Sequence, residues 1–335
     1  MTIQPLSNRP REISVTEPLE PAYERVKRML FKPFNLNKWI VIGFCAWLAG
    51  LGEAGGGSGF NGGDHFGGNR SQAAGQLRHV YHQARDFVLV NLAWIIPVAC
   101  LLLVVGLALW LLVLWVNSRG KFMFLHCVVW DVAQVEAPWT KFAAAANRLF
   151  WFRLVLGAVG LVLMLPLLAL LGADILRMVL RGGADVAGVM TAIGLGLIVL
   201  GVSLAFALIH KFMVDFVVPI MFLRGDSCLA AWRELGGLLA GHFWHFVVYL
   251  LFQIVLALAI GVIVLLGILV TCCIAGCLLM LPFVGTVLLL PVLAFKRAYP
   301  LYYLAQFGPQ YDLFPKPTTS PASPAHPPLA PLGAP

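Results

Sequence analysis

Residues 246–270 read FVVYLLFQIVLALAIGVIVLLGILV, and this stretch contains no Asp, Glu, Lys or Arg. A helix needs about 20 mainly apolar residues to cross the hydrocarbon core of a bilayer. No water is present there to bind backbone N–H and C=O groups, so spanning segments are helices or closed β-barrels. The stretch is continuously apolar and Leu-rich rather than alternating, which excludes a barrel strand. It therefore predicts a transmembrane α-helix.

Similar apolar runs recur along the whole chain of 335 residues, which is 60% hydrophobic and only 11% charged. Soluble domains carry about 25% charged residues, so the excess apolar surface must face lipid. The run from 246 to 295 is too long for one helix, so we expect a tight hairpin near Thr271 to divide it. The predicted fold is all-α, a polytopic membrane helix bundle of about six spans, at 39–53, 90–116, 154–173, 188–210, 246–268 and 274–295.

The distribution of lysine and arginine predicts the orientation of these spans. Eighteen of the 23 lie on the side that holds the N-terminal segment, and five lie on the other side. Such residues are retained on the cytoplasmic side, so we expect a cytoplasmic membrane protein with both termini inside. The net charge of +8 is explained by this bias, and we expect no nucleic acid partner.

Two stretches of the chain match each other in residue type and spacing. Each has a Lys-Phe-Met triplet, then a tryptophan, then a Phe-Trp pair just before an apolar run. This pattern predicts an internal parallel repeat, although aromatic residues also collect at membrane interfaces without duplication. The matching segments are Lys121-Phe122-Met123, Trp139 and Phe150-Trp151 in one copy, and Lys211-Phe212-Met213, Trp232 and Phe243-Trp244 in the other.

Three amphipathic segments precede outgoing spans, at residues 22–32, 139–150 and 229–243. Amphipathic helices lie in the headgroup layer with cations near anionic lipid. These segments therefore predict a cytoplasmic interfacial collar, and the lipid bilayer is the first expected partner. The residues predicted to contact interfacial lipid are Arg25, Lys27, Arg28, Trp139, Trp151, Trp232 and Trp244.

Asp215 is an acidic residue in an apolar stretch, where a charge is costly and raises a functional hypothesis. Lys211 lies four residues earlier, within reach on a helix. The spacing predicts a Lys211–Asp215 polar pair, which is either structural or part of a transport site.

Other chemistry-bearing residues give weaker signals. Asp64, His65, His79 and His82 lie in one external loop, and we expect solvated residues there rather than a metal site. No spacing pairs a nucleophile with an acid or base as catalysis requires. We therefore expect no catalytic residues, no metal and no cofactor.

Outside the membrane domain, predicted at 21–308, the chain has two polar ends. Residues 1–20 predict a polar N-terminal tail, and residues 309–335 are rich in Pro, Ser and Ala. That composition predicts a disordered or polyproline-II C-terminal tail, which either docks a cytoplasmic partner or is passive.

Four motifs carry a resemblance, and they are Ser118-Arg119-Gly120-Lys121-Phe122, Ala137-Pro138-Trp139, Asp215-Phe216-Val217-Val218-Pro219 and Gln306-Phe307-Gly308-Pro309. They resemble motifs of a family of uncharacterised bacterial multi-pass membrane proteins. That family is distantly similar to the membrane domain of some glycerophosphodiester phosphodiesterases. The resemblance implies a bacterial cytoplasmic membrane location and brings no activity, since no phosphodiesterase domain is present.

Two functions fit these features. The first is a non-catalytic membrane module that organises or assists other membrane components, with a membrane or cytoplasmic protein as partner. The alternative is a carrier or channel for a lipid-like or small neutral solute. It would use spans interrupted by Pro97, Pro166, Pro282 and Pro291.

Overall fold

A computed structural model describes residues 13–52, 90–181, 185–225, 227–271 and 274–314. Within these ranges the secondary structure is helical and contains no β-strand, which confirms the all-α class. The helices are α1 Leu19–Phe31, α2 Leu36–Gly50, α3 Leu92–Trp130, α4 Glu136–Lys141, α5 Ala143–Arg181, α6 Val186–Phe212, α7 Val218–Arg224, α8 Cys228–Gly241, α9 Phe243–Val270, α10 Ile274–Met280, α11 Pro282–Leu288 and α12 Leu290–Ala305.

Four helices among the described residues are long and apolar enough to cross a membrane. They are α3, α5, α9, and α6 extended into α7 through one π-helical turn at Met213–Val217. These helices correspond to the predicted spans two to five. The first predicted span is the 15-residue helix α2, which is shorter than a bilayer core requires.

The sixth predicted span, 274–295, is not one helix, and in this respect the prediction is wrong. The segment divides into α10, α11 and the start of α12, with a break at Leu281 in an extended conformation. Pro282 begins α11, and Pro291 lies in the first turn of α12. Proline lacks the N–H that would continue a preceding helix, so each proline starts a new one.

Two other prolines leave their helices continuous. Pro97 lies inside α3 and Pro166 inside α5, where we expected interruptions. Proline is tolerated in membrane helices because nearby groups satisfy the freed carbonyl.

The buried residues form one cluster at one end of the long helices. It includes parts of α1, α2 and α12, the last turns of α3 and the turn after α6. The apolar face of α1, with Val26, Met29 and Leu30, is covered by protein in this cluster rather than by lipid. By contrast, in the most apolar stretch of each of the four long helices at most 6% of the residues are buried. We call the end of the molecule that holds this buried cluster the core end. The long apolar helices project from it.

Helices α2 and α3 are in close backbone contact at Gly120. A Cβ atom at this position would lie 2.5 Å from the carbonyl carbon of Leu48. Beside it, the amide Nδ2 of Asn117 donates to the carbonyls of Ala49 at 2.6 Å and Leu51 at 2.8 Å. Carbonyls at a helix C-terminus lack partners within their own helix, so α3 caps the end of α2.

The two described ends of the chain lie side by side. Gln306 accepts a hydrogen bond from Ser14 N at 2.8 Å and donates to Ser14 O at 2.9 Å. The ring of Phe314 stacks on Tyr302 at a centroid distance of 4.1 Å. Residues 309–314 are therefore packed, and the division of the chain into two tails and a membrane domain stays a prediction. The first part of the predicted N-terminal tail and residues 315–335 lie outside the described residues.

Candidate functional site

Four polar side chains form a closed hydrogen-bonded ring at the core end, between α6 and α9. Lys211 Nζ lies 2.8 Å from Asp215 Oδ2, the geometry that the four-residue spacing predicts. Tyr249 OH donates to the same oxygen at 2.8 Å and accepts from Gln253 Nε2 at 3.1 Å. Gln253 Oε1 in turn accepts from Lys211 Nζ at 3.5 Å. Asp215, Tyr249 and Gln253 are buried, whereas the Lys211 side chain is 36% exposed.

Aromatic side chains pack against this hydrogen-bonded network. The ring centroid of Tyr249 lies 4.7 Å from that of Tyr303 and 6.0 Å from that of Tyr299, both on α12. It lies 5.1 Å from the ring centroid of Phe216. Burial excludes water from the polar groups, which strengthens satisfied hydrogen bonds. Burial raises the pKa of Tyr299 and that of Tyr303, the latter to about 12.

The backbone around Asp215 is unusual, since Met213–Val217 forms a π-helical turn. Such turns occur mostly as single insertions and often at functional sites. Arg297 Nη1 of α12 donates to the carbonyl of Val214 in this turn at 2.7 Å. On the same helix, burial first and repulsion by Lys211 second lower the pKa of Lys296. The turn is therefore the point where α6, α9 and α12 are joined by polar contacts.

A second polar cluster surrounds Arg153 near the core end of α5. Arg153 Nη1 donates to Asn117 Oδ1, the residue that caps α2, and to Ser118 Oγ at 3.3 Å. Asn117 and Ser118 are buried. The cluster thus links α2, α3 and α5 and fixes a guanidinium at the edge of the packed region.

The predicted interfacial residues occupy different environments. Arg25 donates to the carbonyls of Val128 and Val129, at 3.0 and 2.6 Å, so its guanidinium joins α1 to α3. Lys27 pairs with Glu24 on the surface, and Arg28 is exposed.

Two of the four tryptophans predicted at the interface are packed, and two are exposed. Trp139 packs against Arg119, whose guanidinium carbon lies 4.8 Å from the ring centroid, and Trp232 packs against Phe152 at 6.2 Å. Trp151 and Trp244 are 63% and 74% exposed. Lipid contact by these side chains stays a prediction.

A cavity of about 470 Å³ lies between α3, α5 and α6. Its wall is mainly apolar, with Arg153 and His210 at the core end. The lining residues are Trp110, Leu114, Arg153, Leu156, Gly157, Gly160, Met164, Phe206, Ala207, His210 and Met213.

Metal and thiol predictions are only partly covered by the described residues. In those residues no group of three or more His, Cys, Asp or Glu side chains is placed to hold a metal ion. The four loop residues considered as ligands, Asp64, His65, His79 and His82, lie outside the described residues. Cys277 is exposed, and Cys272 and Cys273 are also outside.

A family match covers residues 13–290, which is more than half of the chain. It includes the side chains of both polar clusters but not the helix α12 that packs against the first. The chain belongs to a family of unknown function, DUF7544. No curated protein and no solved structure matches it. The DUF7544 match carries no link to glycerophosphodiester phosphodiesterases, so that part of the resemblance gains no support.

Sequence reasoning missed the partners that complete both clusters. Tyr249 and Gln253 are separated from Asp215 by more than 30 residues of sequence. In the second cluster, Asn117 and Arg153 are 36 residues apart. The available signal was a tyrosine and a glutamine four residues apart in a run without charges, because such a pair shares one helix face.

Proposed function

We propose that this DUF7544 protein is a non-catalytic membrane module that organises or assists other membrane components. The observation that carries the proposal is the contrast between the packed core end and the long helices, whose most apolar stretches have at most 6% of their residues buried. Apolar surface of this extent needs a cover of lipid tails or of helices from another protein. Within a bilayer, helices associate by packing and by hydrogen bonds, so uncovered helices are available to partners.

The polar residues support a structural role for the core end. Asp215 Oδ2 is held by both Lys211 and Tyr249, and Arg153 is held by Asn117 and Ser118. Groups with several partners rigidify a core, and a rigid base would keep the long helices apart. We place this base on the cytoplasmic side of a bacterial cytoplasmic membrane, because most lysines and arginines flank it.

Co-purification tests the proposal, and the structure identifies suitable variants. Arg25 must be kept because its guanidinium bonds two buried-core carbonyls, so the surface variant is Lys27→Gln with Arg28→Gln. The tail variant ends after Phe314, since that ring packs on Tyr302. The matched control is Arg177→Gln with Arg181→Gln at the opposite end of α5.

The full chain, extracted from its native membranes in mild detergent, is expected to retain a specific protein partner. At least one of the two core-end variants should lose that partner while its elution profile stays unchanged, and the control should retain it. Recovery of the chain without any partner, after cross-linking in native membranes as well, would contradict the proposal.

A lipid-like solute carrier is a second candidate, favoured by the cavity between α3, α5 and α6. Flux of a labelled phospholipid between the leaflets of reconstituted vesicles tests it. Gly157→Leu should abolish this flux, because a side chain there would project toward Trp110 across the cavity. Equal rates in protein-free vesicles and in vesicles with the protein would exclude it.

A further inference from the structure

The cavity between α3, α5 and α6 has a charged residue at one end and an apolar lining along the rest of its length. Arg153 and His210 lie at the core end, and Met164 lies eleven residues farther along α5 than Arg153. At 1.5 Å per helical residue this separation is about 16 Å. One leaflet of the hydrocarbon core is about 15 Å thick, so the apolar part has the depth of one leaflet.

The shape of the cavity depends on two glycines of α5. A Cβ atom at Gly160 would lie 3.3 Å from the ring of Phe206, and one at Gly157 would lie 3.8 Å from Trp110. Larger side chains at these positions would fill the space between the helices. Gly157 and Ala207 line the cavity and are exposed on the outer surface of the helices, so an acyl chain can enter sideways from the bilayer.

The charged end has the chemistry of an anion site. The eleven lining residues include a guanidinium and an imidazole but no carboxylate. Arg153 is positioned by Asn117 and Ser118, and a guanidinium matches phosphate oxygens in charge and in planar geometry. A phospholipid joins an anionic phosphate to an apolar acyl chain, in the same order as the Arg153 end and the apolar part of the cavity.

We propose that this cavity binds an anionic phospholipid of the adjacent leaflet, with its phosphate at Arg153 and His210 and one acyl chain along Gly157 and Gly160. The site goes beyond the proposed organising role and does not depend on it, since binding is measured without a protein partner. It also differs from carriage, because a resident lipid need not cross the membrane.

Native mass spectrometry of the full chain in detergent measures the binding, with phosphatidylglycerol and phosphatidylcholine of identical acyl chains as probes. Both lipids carry the phosphate, but the cationic choline of phosphatidylcholine offsets its charge and would lie beside Arg153. The wild type should therefore bind one phosphatidylglycerol at least about tenfold more tightly than phosphatidylcholine. Arg153→Gln should remove that preference, and Gly157→Leu should weaken both lipids. Gly172→Leu is the control on the same helix, because nothing lies within 4 Å of its Cβ position.

Photo-cross-linking of the unaltered protein keeps the test valid if a variant misfolds. Phosphatidylglycerol with a photoreactive group in its acyl chain, in vesicles, should label peptides that contain Gly157, Met164 or Phe206. Labelling spread evenly over the four long helices, equal affinity for the two lipids, or an unchanged affinity in folded Gly157→Leu would each overturn the proposal. Cross-linking of another protein to the residues that line the cavity would also overturn the proposal.

Discussion

At the scale of single residues, the strongest constraint is the buried carboxylate of Asp215. Asp215→Asn keeps the shape but removes the charge that holds Lys211 and weakens the acceptor for Tyr249. Disturbing a buried hydrogen bond of this kind costs about 1–3 kcal/mol. We therefore expect a clear fall in the free energy of unfolding in detergent. Asp174→Asn is the control, because Asp174 accepts from Thr191 at an exposed site.

The same network shows what spacing alone can and cannot predict. The Lys211–Asp215 contact is local, since residues four apart meet on any helix. The contacts of Tyr249 depend on how α9 and α12 pack, and no local pattern specifies that packing. A double-variant cycle with Lys211→Gln measures the pair directly, and coupling of about 0.5–3 kcal/mol is expected for residues in contact. Strict additivity would show that Lys211 and Asp215 act independently.

At the scale of elements, the contact between α2 and α3 depends on the absence of a side chain at Gly120. Gly120→Ala would place a methyl group 2.5 Å from the Leu48 backbone, which a flexible side chain cannot relieve. Overpacking typically costs about 1–3 kcal/mol, so thermal unfolding in detergent should move to lower temperature. Gly106→Ala, in the same helix with nothing within 4 Å, should leave stability unchanged or raise it. Equal behaviour of the two variants would refute the close packing.

The helices differ in how well apolar runs predict them. The long helices were predictable because continuous apolar stretches of spanning length have few alternatives in a membrane. The division of residues 274–295 into separate helices was not predictable, because proline has two opposite effects in this chain. Pro282 starts a helix, whereas Pro166 lies inside one. Whether a neighbouring group satisfies the freed carbonyl decides the outcome, and that is a tertiary property.

At the scale of the whole molecule, the length of α5 gives a prediction about topology. Its 39 residues span about 58 Å, well beyond the roughly 30 Å hydrocarbon core, so its two ends must emerge on opposite sides. Arg233 lies at the core end, and Arg181 lies at the far end of α5; both are exposed. The charge bias predicts that the core end lies in the cytoplasm. A cysteine at Arg181 should therefore react with an impermeant maleimide in intact cells, whereas one at Arg233 should react only after permeabilisation.

The chain used for this measurement needs its seven native cysteines replaced by alanine, and an unchanged elution profile in detergent is the control for folding. Arg28→Cys is a useful third site, because Arg28 is exposed on α1 and should follow Arg233. Arg297 is unsuitable, because only 7% of it is exposed. Labelling of Arg233→Cys in intact cells would reverse the orientation. Labelling of Arg28→Cys and Arg233→Cys from opposite sides would contradict the packed core end itself, because α1 and α8 both contribute to that single buried cluster.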